Sequence, residues 1–189
     1  MSDYRLQARS PLGAYTQRIN GIRLRELNGR ALVLISAAQQ EQAALAQALR
    51  QAFALSLPAV GDSCSNADGS LRLLGLQQDR FGLLLEDGPV YPERRVAGVL
   101  GGAFGVVDQS DAWVMLELAG VSVPAVLARL CMLDLDLREF PPGRVARTVM
   151  EHMTVIILRT GEQQFLLLSP RSLARSFLHA LETSAHNAG

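Results

Sequence analysis

A pattern of apolar residues that recurs after 82 positions constrains the fold of this 189-residue chain more than any other feature. Leu32 aligns with Val114, Leu45 with Leu127, and the apolar run that begins at Phe81 aligns with a second run after a slip of two residues. Each half reads as two strands, a helix, two further strands and a second helix. The sequence therefore predicts one α+β domain over residues 21–184, made of two pseudo-repeated β-β-α-β-β-α halves, 21–105 and 106–184.

Turn signals and apolar periodicity assign the elements of the first half. Asn28-Gly29 separates two apolar runs, which is the strongest short signal for a β-hairpin. A helix is expected from about Ala37 to Phe53, because Ser36 opens a capping-box spacing and apolar residues recur behind it at helical intervals. The remaining expectations are a polar loop over 57–70, a strand pair over 71–76 and 81–86, and a weak, glycine-containing helix over 93–104.

The second half opens on a stretch that contains the only tryptophan. Val106–Asp108 is expected to form a strand, followed by a polar turn and a second strand over Trp113–Ala119, together a hairpin. Ser122 is a candidate N-cap for a helix over 123–132. Strands follow at 145–149, 155–158 and 165–168, and a last helix begins after Ser169-Pro170.

The two ends of the chain are expected to lie outside this domain. Residues 1–20 lack periodicity and are expected to form a mobile N-terminal arm. The last helix is expected to fray from residue 184, so that 185–189 form a C-terminal tail.

Charge and residue usage exclude several classes of function. The formal net charge is zero, so neither nucleic acid nor an anionic membrane is expected as a partner. The eighteen basic residues are all arginine, and the absence of lysine excludes Schiff-base catalysis and a phosphate-loop lysine. Cys64 and Cys131 show no disulfide or CxxC spacing, which favours a reducing, cytoplasmic compartment. No run approaches the ~20 apolar residues of a transmembrane helix, and none resembles a signal peptide.

Three motifs invite a chemical interpretation and favour a structural one. The stretch Gly98–Gly105 does not fit a dinucleotide fingerprint and lies at the end of a helix, so close helix packing is favoured. Asp108, Ser110 and Asp111 lie at a strand turn, where carboxylates more often bond the local backbone than act as acid and base. The three histidines, His152, His179 and His186, have no metal-pair spacing, and His152 is expected at a strand edge or in a turn. No catalytic, cofactor-binding or metal-ligating residue is assigned.

The densest positive charge lies in two groups of arginines. Arg94-Arg95 forms one, and Arg23, Arg25 and Arg30 form the other. Two interpretations stay open for them: a solvated surface, or a contact with acidic residues of a protein partner, since the guanidinium fork pairs well with carboxylates.

Several segments together resemble the gamma subunit of bacterial heterotetrameric sarcosine oxidase. The resemblance extends over nearly the whole chain and is most specific between Val107 and Ser172. Its segments are Arg9–Leu12, Val107–Val114, Val126–Leu135, Phe140–Thr148 and Ser169–Ser172. That family is similar in fold to the folate-binding part of the glycine cleavage aminomethyltransferase, which agrees with the doubled pattern.

The resemblance implies a partner subunit without catalytic residues of its own. It implies assembly with alpha, beta and delta subunits, chiefly alpha, into a complex that oxidises sarcosine to glycine and passes the one-carbon unit to tetrahydrofolate. FAD, FMN, NAD, tetrahydrofolate and zinc are expected in those partner subunits. Asp108-Gln109-Ser110 resembles the Asp-x-Ser of the aminomethyltransferase, but Pro141-Pro142 lies where that enzyme's later catalytic carboxylate segment is expected.

Two alternatives to the subunit role remain. One is a stand-alone folate-binding enzyme of the aminomethyltransferase type. The other is a tRNA-modification or repair protein of the same fold group, which the zero net charge and the missing cysteine-centred motif disfavour.

Overall fold

A computed structural model describes residues 9–188 of the chain as two antiparallel sheets with helices on their outer faces. The strands of this part of the chain are β1 (Thr16–Ile19), β2 (Ile22–Glu26), β3 (Ala31–Ser36), β4 (Ser63–Ser65), β5 (Leu71–Gln77), β6 (Arg80–Leu85), β7 (Gly105–Asp108), β8 (Trp113–Ala119), β9 (Val145–Met150), β10 (Met153–Gly161) and β11 (Gln164–Pro170). The helices are α1 (Gln42–Phe53), α2 (Pro92–Val99), α3 (Val123–Ala128) and α4 (Ala174–Asn187).

The strand orders of the two sheets correspond to each other. The first sheet runs β1-β2-β8-β11-β10-β9, and the second runs β4-β5-β6-β3-β7. Read from β7, the second sheet has the order β7-β3-β6-β5-β4. Each of these strands occupies the place of the strand of the other half that lies 82–84 residues away, and those strands are β2-β8-β11-β10-β9 in the first sheet. β1 is the extra strand, at the edge of the first sheet. The predicted α+β class is confirmed, but each half has three strands after its first helix, where the predicted β-β-α-β-β-α order has two.

Three apolar layers hold the sheets and helices together. Alternation along each strand sends neighbouring side chains to opposite faces, so Leu32 lies between the sheets while Val33 packs on the helix side of the second sheet. In the same way Met115 lies between the sheets, and Leu116 packs on the helix side of the first sheet. The strands are thus apolar on both faces because each sheet is covered on both sides.

Both predicted hairpins are wrong, because the chain passes from one sheet to the other at each turn. β2 pairs with β1 and β8 in the first sheet, whereas β3 pairs with β6 and β7 in the second. β7 and β8 are divided between the sheets in the same way. The turn signals are correct: Gly29 has φ +77°. The Leu27 amide, however, donates to the Met115 carbonyl (2.9 Å), and the Gln109 amide donates to Leu32 (2.8 Å), so each strand continues along a neighbour from the other half.

The halves also meet at two backbone segments that correspond in the doubled pattern. Asp62 and Arg144 form an antiparallel bridge, and their side chains pair at 2.5 Å between Oδ1 and Nη1. The Asp62 carbonyl accepts from the Gly75 amide (2.9 Å), and the Arg144 carbonyl accepts from the Arg159 amide (3.0 Å). Gly75 and Arg159 each precede an irregularity in their strand, β5 and β10 respectively. The same local hydrogen-bond pattern therefore occurs once in each half.

The structure corrects the predicted ends of the chain. Residues 9–20 do not form a mobile arm: Thr16–Ile19 is strand β1, and the Tyr15 hydroxyl bonds Glu182 of α4 at 2.5 Å. Residues 1–8 of that expected arm lie outside the described residues. At the other end, α4 continues to Asn187, and Ser184 is buried with its hydroxyl donating to the Val126 carbonyl (2.8 Å). Tertiary contacts that periodicity does not reveal order both segments.

Several element bounds differ from the expectations for the same reason. The Gly- and Ser-rich stretch 57–70 contains a short edge strand, β4. Ser36 stays in β3, and the Glu41 carboxylate accepts the Ala38 amide instead (2.8 Å), so α1 begins only at Gln42. Helices α2 and α3 are shorter than the sequence predicts and end at Val99 and Ala128. In α2 the chain leaves the helix at glycines with positive φ, Gly101 and Gly102.

Candidate functional site

The two segments that pass between the sheets lie side by side and enclose a cavity of about 560 Å³, which we call the crossover cavity. Residues 9–11 and the end of β11 close its remaining sides. Its charged and aromatic lining consists of Arg9, Glu26, Arg30, Asp111, Trp113 and Arg171. Four of these belong to segments that carry the family resemblance, so the fold brings those separate segments to one place.

Glu26 fixes one wall of the crossover cavity. Its side chain lies at the end of β2 and the residue is only 7% exposed. The carboxylate accepts hydrogen bonds from the Leu12 amide (3.2 Å), the Ala14 amide (2.8 Å) and the Ser10 hydroxyl. A buried carboxylate needs such partners. Glu26 therefore holds the 10–15 segment against the sheet and has little accepting capacity left for a ligand.

Arginines and one aromatic ring line the other walls. Arg30 pairs with Glu86, and Arg171 donates to the Arg9 carbonyl while its Nη1 lies 3.7 Å from the Asp111 carboxylate. Trp113 is half-buried and packs against the apolar layer between the sheets. The cavity is thus polar at its rim. Arg30 and Arg171 each have an acidic partner within the chain, Glu86 and Asp111 respectively.

The acidic turn at the start of β8 has the structural role that the sequence favours. Asp108 Oδ1 accepts from both the Ser110 amide (2.8 Å) and the Ser110 hydroxyl (2.6 Å), the geometry of an Asx turn. The Ser110 hydroxyl oxygen also accepts the Leu32 amide (3.1 Å), which ties this turn to β3. Asp111 is fully exposed and lies apart from the Asp108 carboxylate's contacts.

Glu117 organises a second polar cluster, on the face of the first sheet. It is 5% exposed, and its carboxylate accepts from Arg25 Nε (2.7 Å), Arg23 Nη2 (3.0 Å) and Gln164 Nε2 (2.6 Å). Two of the three arginines in the Arg23, Arg25 and Arg30 group therefore meet this acidic residue of the chain itself, and Arg30 meets Glu86. The acidic residues that these arginines meet belong to the same chain, which is neither of the two interpretations left open by the sequence.

We expect the free energy of unfolding to fall at acid pH because Glu117 becomes protonated. Burial acts to raise the pKa of its carboxyl, but the hydrogen bonds from Arg25 and Gln164 and the charges of both arginines outweigh burial, so the pKa lies below its ordinary value. A lowered pKa in the folded state adds stability above the unfolded value of about 4.5, and this contribution is lost as the pH falls through the folded value.

Urea unfolding between pH 3 and pH 6 measures this effect. Glu117→Gln should be less stable than the wild type at pH 6, and its free energy of unfolding should fall less steeply below pH 4.5. Glu139→Gln removes an exposed carboxylate and is the matched control. Equal slopes for the Glu117→Gln variant and the wild type would contradict the assignment.

The histidines and cysteines lie apart from both polar clusters. His152 is in the turn between β9 and β10 with φ +66°, as its sequence position predicts, and His179 lines a shallow groove beside α4. Cys131 is buried in the core, which raises the pKa of its thiol, and Cys64 donates to the Ser56 carbonyl at 2.9 Å. Within residues 9–188, no three His, Cys, Asp or Glu side chains are placed to hold a metal ion.

The basic pair Arg94-Arg95 lies at the start of α2, away from the crossover cavity. Arg94 lies over the ring of Tyr91 at 4.4 Å and near Glu93 at 3.7 Å. The Arg94 side chain is 76% exposed, so these contacts hold it only weakly.

Glu26 and Glu117, the two carboxylates that are buried within residues 9–188, were not identified from the sequence. A signal for both is present: each has the strand position of a buried residue, Glu26 in alternation with Ile22 and Leu24, and Glu117 inside the apolar run of β8. A charged residue at such a position needs a partner in the fold. The two carboxylates are occupied by hydrogen bonds from their own chain, which suits a supporting role better than proton transfer.

Comparison with known proteins places this fold in a class. The chain superposes on the glycine cleavage system aminomethyltransferase T of Bartonella henselae with a TM-score of 0.62 over 82% of this chain and 44% of that protein, at 20% identity. This defines the fold as the one found in part of a glycine cleavage system aminomethyltransferase. None of the helices in residues 9–188 combines the length and the apolar character that crossing a bilayer requires.

The family follows from closer matches. The model of the sarcosine oxidase, gamma subunit family matches residues 37–187. The gamma subunits of Corynebacterium sp. strain U-96 and of an Arthrobacter species are each 34% identical, over 71% and 64% of this chain. A chain of the heterotetrameric sarcosine oxidase of Corynebacterium sp. U-96 superposes with a TM-score of 0.83 at 27% identity, covering 96% of both chains. The protein belongs to the sarcosine oxidase gamma subunit family, as the resemblance predicted.

The sequence alignments leave part of the relatives unmatched. The aligned segment spans 65% of the length of the Corynebacterium strain U-96 subunit and 60% of the Arthrobacter subunit.

Proposed function

We propose that this chain is a non-catalytic gamma subunit that supports assembly of a heterotetrameric sarcosine oxidase. Its partners are alpha, beta and delta subunits, chiefly alpha, and the complex oxidises sarcosine to glycine and passes the one-carbon unit to tetrahydrofolate. FAD, FMN, NAD, tetrahydrofolate and zinc belong to the partner subunits. The complex works in the cytoplasm.

One observation carries this proposal: the chain superposes on a chain of a heterotetrameric sarcosine oxidase, with 96% of each covered. The polar chemistry of the chain supports it. The buried carboxylates Glu26 and Glu117 are each bound by at least three donors from the chain itself, and the buried guanidinium of Arg159 binds backbone carbonyls. Residues used in this way stabilise a shape rather than react.

Co-expression tests the subunit role. Alpha, beta and delta subunits produced with this chain should yield a flavin-containing complex of four different chains that oxidises sarcosine. Without this chain, we expect the yield of a flavin-containing complex of the other three subunits to be lower by about tenfold or more. Each 1.4 kcal/mol of lost association energy corresponds to a tenfold change. Size-exclusion chromatography, flavin absorbance and sarcosine turnover measure it.

A matched control keeps the comparison specific. Arg138→Met changes one exposed arginine and should assemble as the wild type does. Equal yield and equal turnover of the flavoenzyme without this chain would show that the subunit role is wrong.

The second candidate is a stand-alone folate-binding transferase, which the aminomethyltransferase fold brings into consideration. Titration calorimetry of the isolated chain with tetrahydrofolate separates the two functions. Micromolar binding, or transfer of a one-carbon unit by the chain alone, would favour the transferase.

A further inference from the structure

The two sheets differ at one edge. In the first sheet, β1 lies beside β2 as a sixth strand, whereas the second sheet ends at β7, the strand that corresponds to β2. Within residues 9–188, no strand takes the place beside β7 that β1 takes beside β2. The chain thus contains both an occupied and an open version of the same edge.

The hydrogen-bond pattern shows which groups of β7 are open. The Glu26 amide donates to the Tyr15 carbonyl (2.7 Å), so by alternation Leu24 and Glu26 direct their amides and carbonyls toward β1. The Gln109 amide donates to the Leu32 carbonyl. Because every second residue of a strand faces the same neighbour, the amide and carbonyl of Val107 also face β3, opposite Leu34. Val106 and Asp108 therefore direct their backbone groups away from β3. They lie 82 positions after Leu24 and Glu26, the residues that bind β1.

The side chains leave this edge accessible. Val107 is 50% exposed, and Gly105 and Asp108 are also exposed, so no large side chain of β7 shields its backbone. Proteins usually protect an edge strand by charge, proline, a bulge or a cover, because unpaired backbone groups invite another strand. β7 carries one charged residue, Asp108, whose Oδ1 is occupied by Ser110. Asp108 and the exposed Asp111 favour a basic residue in the segment that pairs here.

We propose that β7 binds an extended segment of another subunit of the complex, which adds to the second sheet as an antiparallel strand in the position corresponding to β1. This inference rests on the proposed subunit function and specifies how that function is carried out. Val106 and Asp108 supply the backbone hydrogen bonds, and the apolar side chain of Val107 becomes covered. Strand addition of this kind takes its affinity from main-chain hydrogen bonds and its specificity from alternate side chains.

A pair of substitutions at Val106 tests this inference in the co-expressed complex. Val106→Pro removes the outward amide and places a ring at the edge, while the amides that bond β3 remain. Val106→Ala loses nearly the same valine side-chain contacts as Val106→Pro but keeps the outward backbone amide of residue 106. We expect Val106→Pro to reduce the yield of the four-chain complex by about tenfold and Val106→Ala to assemble like the wild type. Thermal unfolding of the two isolated variants checks that both are folded to the same extent.

Hydrogen exchange gives a second measurement that does not depend on the variants. In the isolated chain, the amides of Val106 and Asp108 should exchange fast and that of Val107 slowly; in the complex, all three should be slow. Fast exchange at Val106 and Asp108 in the assembled complex would overturn the inference. Protection in the isolated chain would also overturn it, showing that a second copy or the chain itself closes the edge. If Val106→Pro assembles fully while omission of the chain prevents assembly, the inference fails and the subunit function stands; if omission has no effect, the subunit function fails.

Discussion

Replacing Arg159 with methionine is expected to lower the free energy of unfolding by about 3–5 kcal/mol. The residue is 3% exposed, and Nη1 donates to the carbonyls of Leu135 (3.0 Å) and Phe140 (2.8 Å). Nε donates to the Gly161 carbonyl (3.3 Å) and Nη2 to that of Glu162. Methionine fills much of the space but leaves these carbonyls without a donor, and each unsatisfied buried group costs about 1–3 kcal/mol.

Thermal and urea unfolding of the isolated chain measure this loss. For a chain of this length the midpoint temperature should fall by roughly 6–20 °C, at about 2–4 °C for each kcal/mol. Arg138→Met is the matched control, because the Arg138 side chain is 87% exposed and its replacement should leave the midpoint close to that of the wild type. Arg159→Lys should recover only part of the loss, since one ammonium group cannot reach four carbonyls in fixed directions. Equal midpoints for Arg159→Met and Arg138→Met would refute the role of Arg159.

Gly75→Ala is expected to cost about 3 kcal/mol or more and to be recovered largely as unfolded chain at 37 °C. A Cβ atom at Gly75 would lie 2.1 Å from the Ala59 carbonyl oxygen and 2.9 Å from its carbon, so the backbone itself must shift. The shift would disturb two hydrogen bonds of 2.9 Å. In one the Gly75 amide donates to the Asp62 carbonyl, and in the other the Gly61 amide donates to the Gly75 carbonyl. These bonds lie where the two halves meet, so the damage extends to the Asp62 and Arg144 pair.

The control for this prediction is another glycine of the same chain. Gly98 lies in α2, and a methyl group added there would meet no heavy atom of the described residues within 4 Å, apart from its own stretch of helix. Gly98→Ala should therefore raise the free energy of unfolding by about 0.5–1 kcal/mol, the helix propensity difference. Chemical unfolding followed by circular dichroism measures both variants. A Gly75→Ala protein as stable as the wild type would show that the close approach of the Ala59 backbone is not required.

Gly75 and Arg159 also show how the two halves have come to differ. The two residues hold corresponding positions before the irregularities of β5 and β10. In the first half the position carries no side chain, and the Ala59 backbone approaches directly. In the second half the Arg159 guanidinium donates hydrogen bonds to the carbonyls of Leu135 and Phe140, the two ends of the irregular segment 135–140. One backbone arrangement thus supports two different loop structures, according to the side chain present.

Local patterns predicted the elements that depend on local forces. The strand pair β5 and β6, the strands β9 to β11 and the helix α1 were all recognised, because apolar alternation and helical spacing report which face of an element is buried. The Asx turn of Asp108 and Ser110 was recognised for the same reason, since both partners lie within three residues. The turn position of His152 also followed from its immediate neighbours.

The elements that were missed depend on partners distant in sequence. β1 has no apolar repeat of its own and is ordered by β2, by Glu26 and by the contact of Tyr15 with Glu182. The crossover cavity was missed because its walls come from residues near 10, 28, 111 and 171. Several of these segments carry the family resemblance, but a resemblance does not tell which segments meet.

The sequence by itself determined the α+β class and the membership of a family, because burial patterns and motif residues are properties of the chain read in order. Only the tertiary structure decided that the turns at Asn28-Gly29 and at Asp108–Ala112 join different sheets. A turn signal specifies how the backbone bends over a few residues, whereas the choice of neighbouring strand depends on hydrogen bonds and apolar faces supplied from the other half. The open edge at β7 follows from the same choice.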